Sequence, residues 1–207
     1  QLENFVDDAR ALGLEDYTAF LHEPSMADKF DFLMSTKADY TDKDLLKSKD
    51  ARKEVARSLA IFSAFAEGVS LYSSFAVLYS FQMRNLLKGI GQQMKWSVRD
   101  ESLHSKMGCR LFRHMCEEDK SLLENCRKDI IDAATAMLKA EEKYIDRMFE
   151  AGDVEGIKAY DLKQFIRKRL NEKLQELGYF DRGQHFEFNK KASSNLDWFY
   201  HLTGGHT

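Results

Sequence analysis

Apolar residues recur with a helical period over most of this chain. From about residue 49 to 87 they surround nearly the whole helix, which is typical of a helix inside a bundle. These positions are Leu59, Ile61, Phe62, Phe65, Val69, Leu71, Tyr72, Phe75, Val77, Leu78 and Phe81. A bend is expected at Gly89 and Gly91, and further long helices are predicted at 92–116, 121–150 and 156–177. A shorter helix is predicted from Met26 to Met34.

Four long helices with short connections predict an all-α fold, an antiparallel helical bundle. The 207 residues suffice for a single domain with its own core. Pro24 is the only proline, so little in the sequence interrupts long helices. The segment 179–207 is aromatic and polar without a clear period, and we expect it to lie as an irregular segment over the end of the bundle.

Composition narrows the possible functions. Lys and Arg number 31 against 34 Asp and Glu, with no basic stripe, so we expect no nucleic-acid partner. No stretch approaches the roughly 20 uninterrupted apolar residues of a membrane span, so no membrane association is expected. The three cysteines form no Cys-x-x-Cys pair, which favours free thiols and a cytoplasmic protein.

Glu67 is the first candidate for chemistry. It lies in the middle of the most apolar helix, and no Lys or Arg occurs between Arg57 and Arg84. An isolated carboxylate there would cost several kcal/mol unless it is paired or bound to a cation. The simpler alternative is a carboxylate hydrogen-bonded to nearby hydroxyl groups, those of Ser63, Ser70 or Tyr72.

Glu101 and His104 are the second candidate. They are three residues apart on a predicted helix and therefore point from the same face, where a carboxylate and an imidazole can ligate one transition metal. Taken alone, the pair is more often a solvated or hydrogen-bonded surface pair. A buried Glu on one helix followed by Glu-x-x-His on the next is, however, half of the ligand set of dinuclear carboxylate bundles.

The chain resembles a known family at these residues. The stretch from 60 to 111, with its Glu-Gly pair at 67–68 and Arg-Asp-Glu-x-x-His at 99–104, is similar to the small, radical-generating subunit of class I ribonucleotide reductase, a ferritin-like protein. The runs at 171–178 and 195–198 are similar to later parts of that family.

The resemblance implies roles for individual residues. Glu67, Glu101 and His104 would ligate metal. Asp100 would hydrogen-bond a ligand histidine and join the radical-transfer path. Leu71 and Phe75 would form the apolar wall of the metal pocket, although ordinary core packing also accounts for them. Phe5 would occupy the position of the radical residue.

The resemblance also implies a cofactor and partners. The cofactor would be a dinuclear iron or manganese/iron site that reacts with oxygen to generate the oxidant for ribonucleotide reduction. The partners would be the large catalytic subunit and a second copy of this chain. A homodimer would use the apolar surface expected on residues 59 to 81.

The sequence departs from the family pattern at its N-terminal side. An aspartate and an earlier Glu-x-x-His on two preceding helices are missing, Gln1 aligns with the first ligand histidine, and the C-terminal docking tail is missing. We therefore expect a fragment of a longer polypeptide or a split gene product, active only with a complementing N-terminal fragment.

Two other functions remain open from the sequence. The first is another ferritin-like di-iron oxidase. The aspartate at position 100, directly before Glu101, favours the reductase over this alternative. The second is a catalytically incomplete helical scaffold that serves dimerisation. Metal content would distinguish them.

Overall fold

The computed structural model describes residues 23–36, 48–181 and 195–201. Within these ranges the chain is helical and contains no strand, which confirms the predicted all-α class. The elements are α1 (Pro24–Ser35), α2 (Lys49–Ile61), a π-helical segment (Phe62–Ser70), α3 (Tyr72–Met83), α4 (Lys88–Glu118), α5 (Ser121–Met148), α6 (Ala159–Leu177) and α7 (Asp197–Tyr200).

The helix starts follow local chemistry. Pro24 occupies the first turn of α1, where its missing N–H costs nothing. Ser48 caps α2, since its hydroxyl accepts a hydrogen bond of 3.0 Å from the amide of Ala51. At the other end of the chain, Gly178 closes α6 in the left-handed conformation, with φ of 93°.

The elements α2, the π segment and α3 form one continuous helix, Lys49–Met83, in the middle of the bundle. By length and composition alone this helix could cross a membrane, but 61% of its apolar window lies buried inside the structure. A soluble bundle buries its core helix in this way. The helix thus serves as the core of the fold.

The turn after this helix differs from the prediction. The reversal occurs at 84–87, where Asn85 and Leu87 adopt positive φ, and Gly89 and Gly91 already lie within α4. Asn tolerates the left-handed conformation better than most residues, so it can replace glycine in a turn. Gly91 serves close packing instead, because a Cβ there would lie 2.2 Å from Oε1 of Gln82 on α3.

The π segment is the centre of the packing. It contacts α4 and α6 most extensively, while α2 packs against α5 and α5 packs against α6. The described part of the C-terminal segment adds to this core: Phe199 is fully buried, with its ring 5.4 Å from that of Phe165. Its helix α7 interrupts the irregular structure expected for 179–207. The bundle therefore holds the π segment from two sides.

Candidate metal centre

Glu67 lies in the π-helical segment. Every other residue of the segment is buried except the exposed Phe62, and Glu67 is half-buried. Helices of π geometry are rare, and they occur frequently at functional sites. Glu67 thus has partial access to solvent although the other residues from 63 to 70 are buried.

Glu101 and His104 lie on α4, which packs against this segment. One ligand atom from each of Glu67, Glu101 and His104 lies within 4.8 Å of the other two. The structure therefore brings together the three residues that the sequence singled out. Transition metals bind carboxylate oxygens and imidazole nitrogens at about 2.0–2.2 Å, so modest side-chain rotation would let all three donors reach one cation.

The electrostatics of this cluster favour a bound cation. Partial burial raises the pKa of Glu67, the nearby Glu101 carboxylate raises it further, and His104 opposes the shift. Two carboxylates that face each other repel when both are ionised. A divalent cation between them would remove that repulsion, so the donor set fits a metal ion.

Asp100 lies beside His104 at the exposed rim of the cluster. Its Oδ1 is 3.7 Å from Nε2 of His104, and both side chains are more than half exposed. This separation exceeds a hydrogen bond and corresponds to an ion pair only when the imidazole is protonated. The roles of Asp100 in orienting a ligand and in radical transfer stay predictions.

The expected apolar wall is partly exposed. Leu71, at the junction between the π segment and α3, is an exposed side chain, whereas Phe75 is half-buried and packs at the edge of the core. The Phe75 ring makes an edge contact with Tyr72, 5.8 Å between centroids. Phe5 and Gln1 lie outside the described residues.

Buried charges that were not expected from the sequence surround the π segment. Glu141 of α5 and Lys29 of α1 form an ion pair at 2.6 Å with side chains 0% and 9% exposed. Ser73 also donates a hydrogen bond of 2.7 Å to Glu141. A signal was present, since Glu141 falls in the apolar stripe of α5 between Met137 and Ile145. Such a carboxylate predicts a buried partner.

The cysteines behave as ordinary buried or half-buried thiols. All three are free, and burial raises the pKa of Cys109 to about 12 and that of Cys116 and Cys126 to about 11. A thiol with so high a pKa is a poor nucleophile at neutral pH. The group of possible metal ligands among the described residues contains none of the three cysteines.

The fold and the cluster define a class, the all-α bundle with a carboxylate–histidine cluster between its helices that could hold a metal ion. Comparison with known proteins gives the family. The family described as "Ribonucleotide reductase, small chain" matches residues 14–184, and the chain belongs to that family.

The relatives include viral and bacterial proteins. The chain is similar to the probable ribonucleoside-diphosphate reductase small subunit 048L of Invertebrate iridescent virus 3, with 34% identity over 79% of this chain and 46% of that protein. It is 28% identical to the probable small subunit 376L of Invertebrate iridescent virus 6, over 79% of this chain and 52% of that protein. The subunit beta of Chlamydia pneumoniae is 24% identical over 81% of this chain and 50% of that protein. The chain thus spans about half the length of the curated relatives it matches.

Proposed function

We propose that this chain carries one half of the dinuclear metal site of a ribonucleoside-diphosphate reductase small subunit. The observation that supports this most strongly is the convergence of Glu67, Glu101 and His104 within 4.8 Å in a member of the small-chain family. Iron, or manganese with iron, would supply a one-electron oxidant there after reaction with oxygen. The three donors do not distinguish these metals, because carboxylate and imidazole bind several of them.

The residues of this chain would bind and shield the metal. Glu67 and Glu101 would neutralise its charge, and His104 would supply the nitrogen donor. Phe75 and Leu71 would exclude water on the apolar side, and Asp100 would pass the oxidising equivalent towards a large catalytic subunit. Three donors from this chain leave coordination positions open, since a pair of ions needs further carboxylate and imidazole ligands.

The helix that carries Glu101 and His104 also has an unusual exposed surface. Leu103, Met107 and Leu111 are exposed at intervals of four along α4, next to Glu101 and His104. Single exposed apolar residues are normal, whereas a continuous row beside a half-filled ligand set is typical of an interface. We infer that a segment bearing the remaining ligands covers this row, either from elsewhere in a longer polypeptide or as a separate N-terminal fragment.

A homodimer through residues 59 to 81 stays a prediction. In the structure their side chains are buried or half-buried within the chain, apart from the exposed Phe62 and Leu71. The exposed apolar surface therefore lies more on α4 than on the helix from which the homodimer was inferred. We place the protein in the cytoplasm, where its free thiols would stay reduced.

Metal loading tests the proposal. The chain is loaded without oxygen with Fe²⁺, Mn²⁺ or both, alone and mixed with the N-terminal half of a full-length relative, and bound metal is measured by elemental analysis. We expect weak binding of at most one ion by the chain alone and of two ions in the mixture. Exposing the mixture to oxygen should then give an electron paramagnetic resonance signal.

Two results would separate the alternatives. Oxygen-dependent signals that support no ribonucleotide reduction when a large subunit is added would favour another ferritin-like oxidase. Absence of bound metal in both the chain and the mixture would contradict the catalytic proposal. If no metal binds, the remaining candidate is a catalytically incomplete helical scaffold.

A further inference from the structure

Helix α6 presents a buried guanidinium to the π segment. Arg169 is 3% exposed, and its Nε donates a hydrogen bond of 2.9 Å to the carbonyl oxygen of Gly68, the residue directly after Glu67. The guanidinium also stacks on the ring of Tyr72, 3.5 Å from its centroid. A buried cation is costly unless its environment compensates it, and these two contacts help to compensate the burial of Arg169.

Two further buried cations adjoin the same segment. Lys29 of α1 donates a hydrogen bond of 2.6 Å to the carbonyl of Ser70. Lys173, one turn after Arg169 on α6, lies so close to Gly68 that a Cβ there would be 2.9 Å from its Cδ. The backbone that follows Glu67 is therefore held from both α1 and α6.

The position of these contacts has a physical reason. Carbonyls in an α-helix accept from the amide four residues on, and in a π-helix from the amide five residues on. The hydrogen-bond spacing must therefore change by one residue where α geometry resumes near Leu71. Carbonyl oxygens beside this change can accept hydrogen bonds from side chains of other helices. Hydrogen bonds from charged donors are the strong ones, so Arg169 and Lys29 can stabilise geometry that the helix itself disfavours.

We propose that Arg169 is a positioning residue for the metal site. Its hydrogen bond to the Gly68 carbonyl stabilises the π geometry at Glu67 and thereby directs the Glu67 carboxylate towards Glu101 and His104. Without this bond the segment relaxes towards α geometry, which rotates Glu67 relative to α4. The inference rests on the proposed metal-binding function.

The test compares Mn²⁺ affinity among variants of the chain, measured from the electron paramagnetic resonance signal of free Mn²⁺. Arg169→Met should weaken binding by about tenfold to a hundredfold, as expected when a group that orients a ligand is lost. Arg169→Lys, which keeps a charged donor, should restore most of the affinity. Leu162→Ala is the matched control, because Leu162 is fully buried two turns earlier on the same helix. It should lower stability and leave Mn²⁺ affinity unchanged.

A second measurement requires no variant. Binding and conformational order are coupled reciprocally. Mn²⁺ should therefore slow amide hydrogen exchange in the wild-type chain over 62–70 and around residue 169, with no slowing around residue 162. Slowing of amide exchange by Mn²⁺ only at residues 67, 101 and 104 would overturn the proposal. This result would count even if the Arg169→Met variant fails to fold, because it uses the wild-type chain.

The outcomes separate the two claims. A folded Arg169→Met variant with wild-type affinity, or a loss in Leu162→Ala as large as in Arg169→Met, would overturn the positioning role and leave the metal site standing. Absence of Mn²⁺ binding by the wild-type chain would overturn the metal-binding function, and the positioning role with it.

Discussion

Lys29 and Glu141 form an ion pair in the core, with Nζ 2.6 Å from Oε1, although they are 112 residues apart in the sequence. The pair joins α1 to α5, and through the Ser70 carbonyl and the Ser73 hydroxyl it also joins both to the central helix. Burial raises the pKa of Glu141, and the Lys29 ammonium and the Ser73 hydroxyl oppose that shift. The ion pair and its contacts therefore depend on the assembly of α1, α5 and the central helix.

Removing one partner of this pair should destabilise the fold strongly. Lys29→Met leaves a buried carboxylate without its cation, which typically costs about 3–5 kcal/mol. The double variant Lys29→Met with Glu141→Leu should recover most of this loss, because no uncompensated charge remains. Urea denaturation followed by circular dichroism measures both values. Equal stability of the single and double variants would show that the pair does not set the stability of this core.

Two glycines in α4 offer a matched pair of substitutions. At Gly91 a Cβ would lie 2.4 Å from the Cβ of Gln82, an atom that cannot move without its backbone, whereas at Gly89 nothing lies within 4 Å. We expect Gly91→Ala to cost about 1–3 kcal/mol through overpacking. Gly89→Ala should stabilise the chain by up to about 1 kcal/mol through helix propensity. Chemical denaturation of both variants checks this, and a stabilising Gly91→Ala would contradict the close approach of α3 and α4.

The pKa of Glu67 predicts a pH-dependent stability. Its pKa is raised in the folded chain by burial and by Glu101, so the native state holds its proton to higher pH than the unfolded state does. This group's contribution is therefore fully present below the ordinary Glu value of about 4.3 and is lost as pH rises through the raised value.

Glu67→Gln isolates that contribution. In the metal-free state the variant should be more stable than wild type at neutral pH, and the difference should vanish below the ordinary Glu value. Thermal unfolding of both proteins as a function of pH provides the measurement. A constant difference across that range would show that Glu67 titrates normally.

The sequence supported the fold and the three donors, for identifiable reasons. Helical period and the scarcity of proline are local signals, so they predicted the long helices, but they did not predict α7, which lies in the segment expected to be irregular. Glu67 was conspicuous because it interrupts an apolar stretch, and Glu101 and His104 because their spacing places them on one helix face. The candidate site thus consists of residues whose sequence signals are local.

Features that depend on contacts between distant helices were not predicted. The amino acids of 62–70 fit an α-helix as well as a π-helix, and the cations at 29 and 169 that contact this segment lie on other elements. Glycines at 89 and 91 suggested a bend, since the sequence alone does not distinguish a turn glycine from one required by close packing. Arg169 and Glu141 lie within apolar stripes, and a charged residue in such a stripe indicates a buried charge that needs a partner.

Binding of Mn²⁺ by single-histidine variants tests the metal site most directly. His104 and His114 lie on the same helix, both are exposed, and each has a carboxylate nearby, but only His104 has its ligand atom within 4.8 Å of both Glu67 and Glu101. We predict that His104→Ala weakens Mn²⁺ binding at least about tenfold while His114→Ala binds as wild type does. Equal affinity of the two variants, or binding lost only in His114→Ala, would contradict the account.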